Sequence, residues 1–300
     1  MKLLIHLVLL AIVFSCSKGD FKEGKTFIGD QYVSADKLNL GKQVYTEYCM
    51  ACHGTEGNGI GPAAKGSVPP PRNFKQGLYK FGWVKGGGLP TDADFKRIIQ
   101  KGLHGTAMLP WDISDEQTYA VTQYIKTFAP QVWENLDNEV GEPIDVKPDP
   151  FTEARRDFAI RKGKAAYHMV ANCQSCHRGY ATLKELKALA REFNYSAPDE
   201  LEDDFYDMKI QESEFYFHDS EDRLAKFLPP DFTWHPLRSI NSRDDIYKRL
   251  VAGITGAGMP AWRDVIEDDE IWAISYYIEY LMQQKDTDER KKLMRKLSEK

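Results

Sequence analysis

The sequence is short of cysteine, of positive charge and of long apolar runs, and each shortage removes a class of protein. Five cysteines in 300 residues are too few for a disulfide scaffold, and four of them fall in two local motifs, leaving no pair to bridge. Lys and Arg number 40 against 45 Asp and Glu, a net charge of −5, which excludes a nucleic-acid binder. The one extended apolar run, from Leu3 to Phe14 and broken only by His6, is too short to span a bilayer. No second run reaches spanning length, so membrane attachment would have to come through an anchor.

What the sequence does contain is a repeated pentapeptide. Cys49-Met50-Ala51-Cys52-His53 returns as Cys173-Gln174-Ser175-Cys176-His177. Cys-x-x-Cys-His is the attachment signature of a c-type haem: each sulfur adds to one haem vinyl group, and the adjoining histidine is placed to bind the iron. Two copies predict two covalently bound haems c, one at Cys49, Cys52 and His53 and one at Cys173, Cys176 and His177. Half of a zinc site and a thioredoxin-like dithiol are the competing readings. Both lose on context, because the pairs lie more than a hundred residues apart, each with its own histidine, and their flanks read as helices.

Lys2 followed by the apolar run reads as a signal peptide over residues 1–15. The run ends at Val13-Phe14-Ser15-Cys16, similar to a bacterial lipobox, where cleavage before the cysteine leaves it acylated. The arithmetic agrees, since Cys16 is the one cysteine that the pentapeptides do not use. An ordinary secretory signal with a spare thiol is the alternative. Acyl chains on Cys16 would hold the protein at a membrane without a spanning helix, with the folded part in the periplasm.

Self-comparison gives the next signal. Thr91–Trp111 aligns without a gap on Ser242–Trp262, pairing Asp94 with Asp245, Gly102 with Gly253, Gly105 with Gly256, Met108 with Met259 and Trp111 with Trp262. Each stretch reads as an N-capped helix, a glycine turn and a methionine loop. Gly41 to Tyr45 corresponds to Gly163 to Tyr167 on helices leading into the pentapeptides. Tyr119, Ala120, Tyr124 and Ile125 recur as Trp272, Ala273, Tyr277 and Ile278 at helical spacing.

On these residues each half resembles the class I cytochrome c fold, and the whole resembles bacterial dihaem c-type cytochromes. The resemblance implies an all-α protein of two tandem cytochrome c-like helical domains, the second with a long acidic insertion. The plan is then a signal peptide at 1–15, a tether at 16–34, a first domain at 35–129, a linker at 130–151, a second domain at 152–283 with its insertion at about 183–226, and a charged helical tail at 284–300. It also implies Met108 and Met259 as sixth iron ligands, and a proline carbonyl, carried to Pro62, fixing the first imidazole. A thioether is soft and neutral and favours ferrous iron. His104, His168, His218 and His235 are rival ligands that read instead as surface residues or supports behind the ligands, with His235 the most credible substitute for Met259.

From Asp199 to Asp222 eleven acidic residues face Lys209 alone, interleaved with Phe205, Tyr206, Phe215, Tyr216 and Phe217. This segment is either a solvated flap over the second haem or a docking surface for a basic redox partner. The function expected is periplasmic electron transfer between protein redox partners, as a respiratory carrier or as the cytochrome subunit of an oxidoreductase complex, with no catalytic residues of its own. The alternative is an enzyme, a dihaem cytochrome c peroxidase.

Overall fold

The computed structural model describes residues 20–214 and 224–299. The signal peptide, Cys16, His218 and the aromatics Phe215, Tyr216 and Phe217 lie outside the described residues. Among those described, no helix is long and apolar enough to cross a membrane.

In chain order the elements are a hairpin of β1 (Lys25–Phe27) and β2 (Gln31–Val33), then α1 (Ala35–Tyr48), the short α2 (Met50–His53), α3 (Asp92–Lys101), α4 (Asp115–Lys126) and the short α5 (Pro130–Trp133). They continue with α6 (Arg156–Met169), α7 (Leu183–Phe193), an antiparallel pair of β3 (Gln211–Glu214) and β4 (Leu224–Phe227), α8 (Arg243–Ala252), α9 (Asp268–Met282) and α10 (Asp288–Ser298). The fold is all-α apart from these two small sheets.

Helix starts follow their caps. Ser34 and Ser242 each accept from the third backbone N–H of the next helix, and Thr91, Ser114 and Thr182 form full capping boxes. The helices cross in two equivalent pairs. In α1, Gly41 meets the backbone of α4 so closely that a Cβ would collide with the Ala120 carbonyl; in α6, Gly163 does the same against Ala273 of α9. Each crossing centres a separate core. Tyr45, Val121, Tyr124 and Trp133 anchor the first, and Tyr167, Tyr247, Trp272, Ile274 and Tyr277 the second.

The expected tether and linker differ from what forms. Residues 25–33 are not a free tether: Phe27, Ile28 and Val33 are buried in the first core, and the Ile28 amide donates to the Trp133 carbonyl at 2.8 Å. Residues 130–151 are a strap fixed at both ends. Trp133 is fully buried in the first core with its Nε1 donating to Tyr79 Oη at 3.0 Å, while Ile144 and Phe151 enter the second core. Apolar side chains at both ends of a short strap outweigh its Pro and acidic composition. Within the insertion, α7 packs through Leu186 beside Phe205, which also stacks against His168.

Candidate functional site

The pentapeptides sit on single helical turns at the ends of α1 and α6. In the first, the His53 amide donates to the Cys49 carbonyl at 2.9 Å; in the second, the His177 amide donates to Cys173 at 2.9 Å. One turn thus projects two sulfurs and an imidazole from a compact stretch of backbone. Gly54, at a φ of 80°, ends the first turn, and its carbonyl accepts from Tyr45 Oη at 2.7 Å, tying the motif back to α1. The four pentapeptide cysteines are all half-buried. Burial pushes the Cys49 and Cys173 thiols up to about 12, the opposite of what a dithiol redox pair needs.

The two histidines are presented alike. His53 Nδ1 lies 3.0 Å from the Arg72 carbonyl, and the ring stacks on Phe74 at 4.5 Å and 19°. His177 Nδ1 lies 3.3 Å from the Pro230 carbonyl, and its ring stacks on Phe232 at 4.7 Å and 24°. A carbonyl only accepts, so Nδ1 carries the proton and Nε2 keeps its lone pair. Burial holds both imidazoles down at about 4, neutral at physiological pH.

The carbonyl partner of His53 is therefore Arg72, not Pro62. Gly59 and Gly61 fold tightly onto the pentapeptide, their amides donating to the His53 and Cys52 carbonyls, and Pro62 then opens a 3-10 turn. The chain returns to the imidazole only at Arg72, after Pro69 to Pro71. A signal for this existed, since Pro71-Arg72-Asn73-Phe74 and Pro229-Pro230-Asp231-Phe232 place a proline, the residue whose carbonyl accepts from the imidazole and the stacking phenylalanine in one register.

The methionine loops are also built to one plan. α3 and α8 end at Gly102 and Gly253, both at a φ of 66°, where a Cβ would come within 2.6 Å of the Met108 or Met259 carbonyl. Those carbonyls accept from Leu103 at 2.8 Å and Ile254 at 3.0 Å, and the Trp111 and Trp262 amides donate back to α3 and α8. Trp111 packs edge-on against Tyr48, beside the first pentapeptide, and Met259 packs on the core that holds Cys173. Both methionines are half-buried.

The rival histidines are accounted for differently. His168 is buried with both nitrogens engaged, Nδ1 on the Lys164 carbonyl at 2.7 Å and Nε2 accepting from the Tyr180 amide at 3.0 Å. His235 is exposed, three residues after the Phe232 that stacks on His177, and its Nδ1 accepts from the Asp231 amide at 3.0 Å. His104 is exposed in the loop before Met108.

Residues 36–125, the region of the first pentapeptide and its methionine loop, match the family model described as cytochrome C oxidase, cbb3-type, subunit III. Among solved structures, a chain of the Kuenenia stuttgartiensis reducing HAO-like protein complex Kustc0457/Kustc0458 is 30% identical, with a TM-score of 0.61, over 81% of this chain and 96% of that one. The chain belongs to the c-type cytochromes. No curated protein matches it.

Membership implies covalently bound haem c and electron transfer, and the donor set of this cytochrome fits that cofactor. Half-buried thiols, two at each pentapeptide, are available for thioether formation. The imidazole beside them has its N–H committed to a carbonyl, so only Nε2 can bind iron. The stacked phenylalanine fixes the ring plane.

Proposed function

We propose that this cytochrome carries two haems c, one at each pentapeptide, and relays electrons between them as the cytochrome subunit of a periplasmic oxidoreductase complex, held to a membrane through lipidated Cys16. The observation that carries the reading is the duplicated presentation of His53 and His177, each with a carbonyl on Nδ1 and a phenylalanine on its face. The solved relative, a component of a two-protein complex, supports a subunit role. Bound haem supplies a one-electron ferric/ferrous couple.

The rest is the work of the chain's own residues. Carbonyl acceptors at Nδ1 raise the basicity of Nε2 and hold one ring orientation in both oxidation states. Met108 and Met259, on loops of matching backbone geometry, are the proposed sixth ligands, and filled axial positions would exclude oxygen and peroxide. The backbone bonds that brace each loop limit rearrangement when an electron arrives.

The test is a visible and near-infrared spectrum of the purified ferric protein, with and without peroxide and carbon monoxide. Low-spin, methionine-ligated irons indifferent to both reagents are expected. A high-spin iron that binds either would replace this reading with a peroxidase.

A further inference from the structure

The two imidazoles are presented alike, yet the turns that present them are held by different means. In the first half the Phe74 amide donates to the Gly57 carbonyl at 2.6 Å, and Asn73 Oδ1 accepts from the Lys75 amide at 3.0 Å. Backbone close to the pentapeptide fixes that turn. In the second half the Phe232 amide donates to the Tyr180 hydroxyl at 2.8 Å, and that hydroxyl donates to Asp231 Oδ1 at 3.0 Å. Asp231, which follows the carbonyl on His177, also accepts from the Thr233 amide at 2.9 Å and the Thr233 hydroxyl at 2.7 Å. Tyr180, Asp231, Phe232 and Thr233 are all buried. Burial raises the Asp231 carboxyl, but its Thr233 and Tyr180 donors and the Arg178 charge outweigh burial and hold it below the ordinary carboxylate range, so it is ionised.

This anion is met from α10, a helix outside both copies of the duplicated pattern. Arg290 Nε donates to Thr233 Oγ1 at 3.0 Å, and its Nη2 lies 3.8 Å from Asp231 Oδ2. Arg178, the residue after His177, approaches the same Oδ2 at 3.8 Å through Nε and donates from Nη1 to Met294 Sδ of α10 at 3.2 Å. Leu297 is buried, Leu293 and Met294 pack on the second core, and Lys296 pairs with Glu185 of α7 at 2.7 Å. The tail helix therefore grips the support of the second imidazole on both sides, at Arg178 beside the histidine and at Thr233 beside the phenylalanine that stacks on it. A guanidinium fork on a buried, ionised cluster fixes direction as well as distance.

We infer that Arg290 is a positioning residue for the second iron site: through Thr233 and Asp231 it holds the turn whose Pro230 carbonyl and Phe232 ring orient His177. The inference rests on the two-haem reading. A firmly held carbonyl on Nδ1 makes Nε2 a better donor and favours ferric iron, and a slackened turn favours ferrous. The C-terminal helix thus adjusts the second haem and leaves the first alone.

The test is a spectroelectrochemical titration of the haem-loaded full-length protein and of the variants Arg290→Lys and Thr233→Val, with haem counted by mass, and NMR of the ferrous proteins carrying isotope-labelled histidine. Arg290 is half-exposed, so its replacement spares the core; lysine keeps the charge but cannot span Thr233 and Asp231 at once. Thr233→Val keeps the shape, changes no charge and removes the hydroxyl between Arg290 and Asp231. Each variant should shift one ferric/ferrous equilibrium about threefold toward ferrous, a rise of about 30 mV for one electron, and leave the other unchanged. The His177 Nδ1–H resonance should move upfield while that of His53 stays, which assigns the responding site and which a tail that merely adds stability would not cause. Two haems, with the second site unchanged in Arg290→Lys, would overturn the positioning role alone. A shift toward ferric, or one shared by both haems, would trace the effect to local charge or to the whole fold and overturn it too. Haem on the first pentapeptide alone would overturn the two-haem reading and this inference with it.

Discussion

Gly163→Ala is predicted to destabilise the second core, although the same change on a free helix would stabilise it. An added methyl at Gly163 would run into the carbonyl of Ala273 and come within 2.9 Å of the Tyr277 Cβ. Backbone on one side and a core tyrosine on the other cannot rotate away. The helices α6 and α9 would have to part by on the order of an ångström to restore a carbon–oxygen contact of about 3.3 Å. Overpacking costs about 1–3 kcal/mol, and a clash this close with backbone stands at the top of that range, at about 3 kcal/mol. The gain in helix propensity returns about 1 kcal/mol, leaving a net loss of about 2 kcal/mol. At about 2–4 °C per kcal/mol, the melting midpoint should fall by about 4–8 °C. Thermal unfolding followed by far-ultraviolet circular dichroism reads this directly, and Gly41→Ala should do the same in the first core, where the crossing is equivalent. A midpoint equal to or above wild type in both variants would refute the close crossing and, with it, the seating of the pentapeptides at the ends of α1 and α6.

Three further outcomes follow from the site. His168 is held down at about 3 by burial, so between the ordinary value of 6.5 and that point the unfolded chain binds a proton that the folded chain refuses. Stability should fall with acidification across that window by about 1.4 kcal/mol per pH unit from this residue, and His168→Gln should show a pH slope shallower by one proton in urea unfolding measured at several pH values. Met259→Ala should open one iron to carbon monoxide and give a high-spin ferric spectrum, whereas His235→Ala should leave the spectrum unchanged; the reverse pattern would make His235 the ligand. Cys16→Ala should move the expressed protein from a detergent-soluble membrane fraction to the aqueous fraction, and persistence in the membrane would refute the lipid anchor.

The parts of this cytochrome that were legible in the sequence are those written locally. Cys49 to His53 and Cys173 to His177 each lie within one turn, and the Gly102–Trp111 and Gly253–Trp262 loops carry their geometry in two glycines and a backbone pattern of ten residues. What sequence reading missed depends on distant chain. The carbonyl on His53 comes from 19 residues away and that on His177 from 53, beyond any local periodicity. Phe27 and Trp133 lie in segments whose polar composition signals tether and linker, yet a few buried aromatic and aliphatic side chains decide their fate. His168 reads as a surface residue until α6 is rolled against Tyr180.

The measurement that bears most directly on the account is the haem stoichiometry of the purified chain, by intact mass and by peptide mapping of the attachment sites. Two haems, one through Cys49 and Cys52 and the other through Cys173 and Cys176, are the predicted result. A single haem, or a cysteine pair recovered unmodified from a fully matured preparation, would contradict it.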